Sequence, residues 1–177
     1  MHGNNIIEIN KGYPLADGQW TRQKNQALVI KTADCLPVFL WDGKTAMALH
    51  IGWRGFVNNI IGHAMARMLE PGNVTAYIGP HIGYNSFQVN ESIALDIMLA
   101  QNLSWKQVFS RDLVKKSYLR PKHLFMNLQG ILKFQLNELG VKQVITTNID
   151  TCTSPHHFSH RRNPNRNGTN YSFIAIQ

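Results

Sequence analysis

The apolar residues in the first third of the chain fall in short runs that are typical of β-strands. Two of these runs, residues 37–41 and 45–50, lie on either side of the pair Asp42-Gly43. An Asp-Gly pair between two apolar runs is one of the stronger short signals for a β-hairpin. We therefore predict a hairpin here, preceded by strands at residues 6–9 and 27–31 and by a polar loop at residues 19–26.

After residue 56 the apolar residues begin to recur with the period of an α-helix. Apolar residues recur at intervals of three and four over residues 57–69 and again over 124–139, which predicts two amphipathic helices. Asn90 is suited to cap a helix over residues 93–101, and Gly140 stands where a left-handed helix cap is expected. The basic span 102–123 shows no regular period. Further strands are predicted at residues 74–78, 87–89, 144–147 and 172–176.

Helices and strands alternate along the chain, and a hairpin interrupts the alternation. This order indicates the α/β or α+β class with mixed strand pairing. The sequence shows no internal repeat and no long linker, so its 177 residues most simply form one domain over residues 1–177. A hydrophobic fraction of 44% with 16% charged residues fits a folded globular protein.

Composition also limits the compartment and the partners. No apolar run approaches the roughly 20 residues that span a bilayer, and the first residues lack the features of a signal peptide, so we expect a cytoplasmic protein. Only two cysteines occur, Cys35 and Cys152, which argues against a disulfide framework. The formal net charge of +8 will attract anions of any kind.

Three chemically useful side chains lie close together around the hairpin. Cys35 precedes its first strand, His50 ends its second, and Arg54 follows in a Gly-Trp-Arg-Gly loop. Zinc binds sulfur and imidazole nitrogen, and a guanidinium between glycines at a helix start suits phosphate. We therefore expect an active site here, although each residue taken singly also fits a structural role.

Four segments together carry a resemblance to a known family. They read TADCLPVFL, ALHIGWRGF, IGPHIGYNSFQV and CTSPHHFSHRRN, in this order along the chain. The sequence resembles the polyphenol oxidase, or laccase-domain, family, whose members are regarded as purine nucleoside phosphorylases with accompanying adenosine deaminase activity. The resemblance implies a layered sandwich of mixed β-sheets flanked by helices. It also implies a metal site of two histidines and one cysteine.

Residue by residue, the resemblance assigns the metal ligands to His2, Cys35 and His50. Other members carry a further segment before the His2-Gly3 pair, whereas this sequence begins one residue before it. Three ligands with one open position are typical of catalytic zinc. Copper is the alternative metal, but a multicopper site requires many paired histidines, and the eight histidines here include no His-x-His pair.

The expected reaction is phosphorolysis of adenosine or inosine, with methylthioadenosine as a further substrate class, to free base and ribose 1-phosphate. Arg54, Arg161 and Arg162 are expected to hold inorganic phosphate, unless Arg54 pairs with Asp34 to brace the site. Asp34, Trp53 and Phe158 are the expected substrate-binding residues, the aromatic rings being suited to stack on a purine. For deamination, zinc would activate water.

Two alternatives remain open at this point. One is oxidation of phenolic compounds at a copper-loaded site with the same ligands. The other is a basic nucleic-acid-binding module, suggested by the charge and by Arg161, Arg162 and Arg166 near Phe158 and Tyr171. The scattered basic residues and the absence of a nucleic-acid-binding motif argue against the second alternative.

Overall fold

The computed structural model describes residues 3–9, 16–68 and 71–177. Among them are eleven strands and five α-helices. The strands are β1 Ile6–Glu8, β2 Gly18–Thr21, β3 Gln26–Thr32, β4 Leu36–Trp41, β5 Ala46–Ile51, β6 Thr75–Ile78, β7 Gln88–Asn90, β8 Val114–Lys116, β9 His123–Met126, β10 Gln143–Thr146 and β11 Asn170–Ile176. The helices are α1 Trp53–Val57, α2 Ile60–Met65, α3 Glu91–Ala100, α4 Trp105–Ser110 and α5 Leu128–Glu138.

The strands form three sheets. The largest has six strands in the order β1-β2-β5-β4-β6-β10, with parallel pairing at both edges and antiparallel pairing through its centre. β3 and β11 form a two-stranded antiparallel sheet, and β8, β9 and β7 form a three-stranded antiparallel one. This confirms the expected mixed α/β fold, with several sheets flanked by helices.

The six-stranded sheet is covered on both faces. One face packs on the helices in the main core, to which β4 contributes Leu36, Val38 and Leu40. The opposite face carries Phe39 of β4 and packs on Leu28 of β3 in a smaller core. A strand buried on both faces reads as a continuous apolar run, which is why residues 36–40 lack the usual alternation.

The predicted hairpin is confirmed, and local chemistry explains its turn. The Asp42 carboxylate accepts hydrogen bonds from the amides of Lys44 at 2.9 Å and Thr45 at 2.7 Å. Gly43 has a φ of +93°, which glycine adopts without steric cost. The turn therefore pairs Leu36 with Ile51 and sets the register on which the site depends.

Four sequence predictions are wrong. The helix predicted over residues 57–69 is not continuous: only the last residue of α1 and the whole of α2 fall in this range, and Asn59, with a φ of +51°, separates the two helices. The loop predicted at residues 19–26 overlaps β2, whose mostly polar sequence gives no strand signal. Residues 124–126 belong to β9 instead of the following helix, and the irregular span 102–123 contains α4 and β8.

Other local predictions are confirmed. The Asn90 side chain accepts a hydrogen bond from the amide of Ile93 and caps α3. Gly140 follows α5 with a φ of +87°. None of the helices in the described ranges is both long enough and apolar enough to cross a membrane.

Candidate active site at the ends of strands β4 and β5

The candidate site lies where β4 begins and β5 ends. Pro37 of β4 is the cross-strand partner of His50, and Cys35 precedes Pro37 by two residues. The backbone amide of His50 donates to the carbonyl oxygen of Asp17 at 2.8 Å, which fixes this strand end against the start of β2. The hairpin register therefore brings Cys35 and His50 to the same end of two neighbouring strands.

A cavity of about 320 Å³ opens at this strand end. Four separate chain segments line it, and they contribute polar, charged and aromatic side chains. The lining residues are Ala33, Asp34, Cys35, Gly52, Trp53, Arg54, Ile82, Phe87, His160 and Arg161. The volume lies at the lower end of the range of small-molecule sites. Five of the predicted site residues, Asp34, Cys35, Trp53, Arg54 and Arg161, thus share one cavity.

Asp34 braces the cavity wall. Its Oδ1 accepts a hydrogen bond from the Thr151 hydroxyl at 2.7 Å, and its Oδ2 accepts one from the backbone amide of Arg161 at 2.7 Å. Asp34 is buried and has a φ of +98°, a conformation that non-glycine residues adopt rarely and at a cost. Asp34 therefore holds the late loop in place. Among the described residues no hydrogen bond or ion pair joins Asp34 to Arg54, so the predicted bracing of Arg54 by Asp34 finds no support.

The Cys35 thiol is protonated at neutral pH in this environment. Burial, with the nearby charge of Asp34, raises its pKa to about 11, although Arg166 acts in the opposite direction. A buried thiol of this kind is a poor nucleophile unless a cation stabilises the thiolate. Cys35 therefore fits a metal ligand better than a covalent catalyst.

Two of the three predicted metal donors, Cys35 and His50, lie at neighbouring strand ends, whereas His2 falls outside the described residues. The adjacent Gly3 lies close to Gly55, the residue after Arg54. A Cβ atom added to Gly55 would be 3.9 Å from the carbonyl oxygen of Gly3. The part of the chain that the structure describes contains no group of three His, Cys, Asp or Glu residues able to hold a metal. The described donors thus fit a zinc site in part.

The chain next to Gly3 is anchored by hydrogen bonds. The side-chain amide of Asn4 donates to the carbonyl oxygen of Asn58 at 2.9 Å, and the carbonyl oxygen of Asn5 accepts from the amide of Asp17 at 2.9 Å. Asp17 also accepts the hydrogen bond from His50 described above. This residue therefore links the first described segment of the chain to the strand that carries His50.

The two cavity arginines are held by aromatic rings. The guanidinium of Arg54 lies 4.3 Å from the centre of the Trp53 ring, and that of Arg161 lies 5.7 Å from the centre of the Phe87 ring. Arg161 Nη1 also donates to the carbonyl oxygens of Ser86 at 3.2 Å and Gln88 at 2.9 Å. Within the described ranges the side-chain hydrogen bonds of Arg161 use only Nη1, which leaves the rest of the guanidinium for a ligand. Two fixed positive charges of this kind suit a small anion.

Arg162 and Phe158 do not line the cavity. The Arg162 guanidinium donates to the carbonyl oxygens of Thr151, Cys152 and Ser154 at 3.0, 3.1 and 2.6 Å, and so holds the preceding loop together. Phe158 is 42% exposed and packs directly against Gly168. Their predicted roles in catalysis and substrate binding therefore find no support in the position of either side chain.

Sequence reasoning undervalued three cavity residues. His160, Phe87 and Ile82 all lie in segments that carry the family resemblance, but no local pattern marked them out as site residues. Nor does any local pattern reveal that Thr151 supports Asp34 across 117 positions of sequence. Such pairs form only when distant loops meet, so periodicity does not reveal them.

Comparisons with known proteins identify relatives that match most of this chain. The chain is 32% identical over 173 residues to a Rickettsia prowazekii protein named purine nucleoside phosphorylase, covering 92% of this chain and 68% of the relative. A Haemophilus influenzae protein of the same name is 31% identical over 181 residues, covering 99% of this chain and 72% of the relative.

Solved structures show the same fold. The hypothetical protein YfiH from Bacillus licheniformis superposes with a TM-score of 0.87 at 22% identity, covering all of this chain and 72% of that one. The Neisseria meningitidis protein NMB0706 superposes with a TM-score of 0.86, also at 22% identity, covering all of this chain and 73% of that one.

A family model also matches, and it covers residues 1–177. Its description is multi-copper polyphenol oxidoreductase laccase. The match extends over every segment on which the sequence resemblance was based, including the three that supply Cys35, Arg54 and Arg161 to the cavity. The chain therefore belongs to the laccase-like family of that description, as the sequence resemblance indicated.

Proposed function

We propose that this chain catalyses the phosphorolysis of purine nucleosides, such as adenosine and inosine, and that methylthioadenosine is a further substrate. The observation that carries the proposal is the cavity in which two ring-supported arginines, Arg54 and Arg161, lie beside the aromatic residues Trp53 and Phe87. Relatives named purine nucleoside phosphorylase support the same assignment.

The arrangement suits the charges of the reaction. Arg54 and Arg161 would hold inorganic phosphate against the ribose, while Trp53 or Phe87 stacks on the base. A phosphate oxygen attacks C1′ of the ribose, and the bond from C1′ to the base nitrogen breaks with its electron pair leaving on the purine. Fixed cations close to the attacking phosphate lower the barrier by orienting it and by stabilising charge.

A zinc ion belongs to the proposal as a cofactor. Cys35 and His50 would supply two ligands, with His2 as the third. When bound, zinc supplies Lewis-acid chemistry that activates water or polarises a substrate, which is the chemistry that deamination of adenosine requires. We include adenosine deamination as a second activity of the same site. Copper in these ligands, with oxidation of phenols, is the alternative that the family description favours.

The test compares Cys35→Ala with the parent protein in a phosphate-dependent assay of inosine loss, with the metal content measured on both samples. We expect the variant to lose its bound metal because a ligand is removed. Its activity should fall at least about tenfold, which corresponds to a rise of roughly 1.4 kcal/mol in the activation free energy. Cys152→Ala is the matched control, because Cys152 is a free cysteine outside the cavity.

The same samples distinguish the alternatives. Unaltered phosphorolysis in a metal-free Cys35→Ala protein would contradict the zinc assignment. Oxygen uptake on a phenolic substrate that increases with bound copper, without phosphate-dependent turnover, would replace phosphorolysis by oxidation.

A further inference from the structure

His160 and Arg166 form a pair at the cavity that none of the roles proposed above uses. His160 lines the cavity, and Nη1 of Arg166 lies 3.0 Å from Nδ1 of the His160 ring. A guanidinium carries only donors, so Nδ1 of His160 must be the acceptor in this hydrogen bond. The proton of the neutral ring is therefore on Nε2, and Nε2–H is the donor that the ring can offer to a ligand.

Local structure holds Arg166 in this position. The chain turns back after His160, with the amide of Asn163 donating to the carbonyl oxygen of Ser159 at 3.0 Å and the amide of Arg166 donating to that of Asn163 at 3.2 Å. Arg166 is only partly exposed, and its Nε is buried without a hydrogen-bond partner among the described residues. The guanidinium is thus a fixed charge behind the imidazole ring.

A positive charge on one side of an imidazole strengthens the donor on the other side. Hydrogen bonds arranged in series polarise each other, and charge-assisted bonds are about twice as strong as neutral ones. Because Nδ1 already accepts from Arg166, the His160 ring is suited to donate a hydrogen bond through Nε2–H.

We propose that His160, held in its Nε2–H form by Arg166, donates a hydrogen bond to a ring nitrogen of the departing purine. This role rests on the proposed function. As the bond from C1′ to the base breaks, its electron pair enters the purine ring, and negative charge develops on the ring nitrogens. His160 stabilises that charge but keeps its proton, and solvent supplies the proton that the free base finally takes up. Because Arg54 and Arg161 are assigned to the phosphate, His160 is available to donate to the base.

The experiment compares inosine with 7-methylinosine in the full chain. The methyl group occupies the N7 acceptor and leaves the base positively charged, so its departure needs no hydrogen bond at this position. We expect His160→Leu to lower kcat/KM for inosine by about 100-fold or more, the usual effect of removing one donor that acts in the transition state. For 7-methylinosine the expected change is less than about threefold.

Two further variants test whether the effect depends on a hydrogen-bond donor at position 160. His160→Gln keeps an N–H donor, so part of the activity on inosine should return. His156→Leu is the matched control, because His156 is an exposed histidine outside the cavity and should leave both substrates unaffected.

The pairing itself has a readout that does not depend on activity. Long-range ¹H–¹⁵N NMR of the histidine rings should show His160 in a single Nε2–H form in the parent. Arg166→Met should convert it to a mixture of tautomers. A mixture already present in the parent would overturn the role of Arg166.

The kinetic outcomes separate the two levels of the proposal. Equal losses on inosine and 7-methylinosine in His160→Leu would overturn the leaving-group role and indicate a structural one. A parent protein that phosphorolyses neither nucleoside would overturn the proposed function, and this role with it.

Discussion

Among single residues, two carboxylates decide how the late loop folds over the cavity. Asp34 holds Thr151 and the backbone of Arg161, as described above. Asp150 accepts hydrogen bonds from the Ser86 hydroxyl at 2.6 Å and from the amide of Cys152 at 2.9 Å. Both carboxylates therefore connect the loop after β10 to segments far earlier in the chain.

Asp150 should contribute stability that depends on pH. Burial alone would raise its pKa, but hydrogen bonds from Ser86 and from the amides of Gly83 and Cys152 outweigh burial and lower the pKa below its ordinary value. A carboxyl whose folded pKa is depressed stabilises the protein above its unfolded pKa, near 3.9, and loses this contribution as the pH falls through the folded value.

We predict that Asp150→Asn lowers the free energy of unfolding at pH 7 by about 1 kcal/mol, a modest value because solvent screens this carboxylate. The difference from the parent should shrink as the pH falls below about 4. Urea unfolding at several pH values measures it, with the exposed Asp96→Asn in α3 as the control. A pH-independent difference would contradict the assignment to charge.

Among the secondary-structure elements, the break between α1 and α2 shows how tertiary structure overrides periodicity. Asn59 adopts a left-handed conformation, and its Oδ1 accepts hydrogen bonds from the amide of Gly62 at 3.2 Å and from the side chain of Gln135 at 3.0 Å. The break keeps the apolar residues on the core side, so Ile60 and Ile61 are buried although the helix is not continuous.

Asn59→Ala should destabilise the protein by roughly 2 kcal/mol. About 1 kcal/mol comes from forcing alanine into the left-handed region, and about 1 kcal/mol from the lost helix cap. Asn59→Gly tolerates the backbone conformation and should cost only a few tenths of a kcal/mol. Thermal or urea unfolding of the two variants measures the difference. Equal losses would show that the side-chain contacts, and not the backbone conformation, determine the break.

For the molecule as a whole, net charge should act on phosphate, the anionic substrate of the proposed reaction, more than on the neutral nucleoside. The sequence carries a formal charge of +8, and two of its arginines lie in the cavity. Charges attract anions over distances that salt shortens, to about 8 Å at 0.15 M.

We therefore predict that raising NaCl from low concentration to about 0.3 M increases KM for phosphate several-fold while KM for inosine changes little. Initial rates with one substrate varied at a time measure both constants. A parallel increase in both KM values would indicate a general effect of salt on the fold.

The nucleic-acid-binding alternative has its own test. Tight, salt-sensitive binding of nucleic acid without nucleoside turnover would favour it.

The sequence by itself determined the parts of the protein that depend on local chemistry. It predicted the hairpin at Asp42-Gly43, the cap at Asn90 and the positions of Cys35 and His50 at neighbouring strand ends. Its short motifs also identified the family. Each of these follows from residues close together in sequence, where turn geometry and side-chain alternation leave few choices.

Only the tertiary structure decided which residues of the late loop enter the cavity. Arg161 lines it, whereas its neighbour Arg162 turns away to bind the carbonyl oxygens of the preceding loop. No period exists in an irregular loop to tell adjacent side chains apart. Their directions are set by bonds to distant partners, such as the one from the Arg161 amide to Asp34, 127 positions earlier. The hairpin could be derived from the sequence because its contacts are local. The completed cavity could not be derived, because its contacts join residues far apart in the chain.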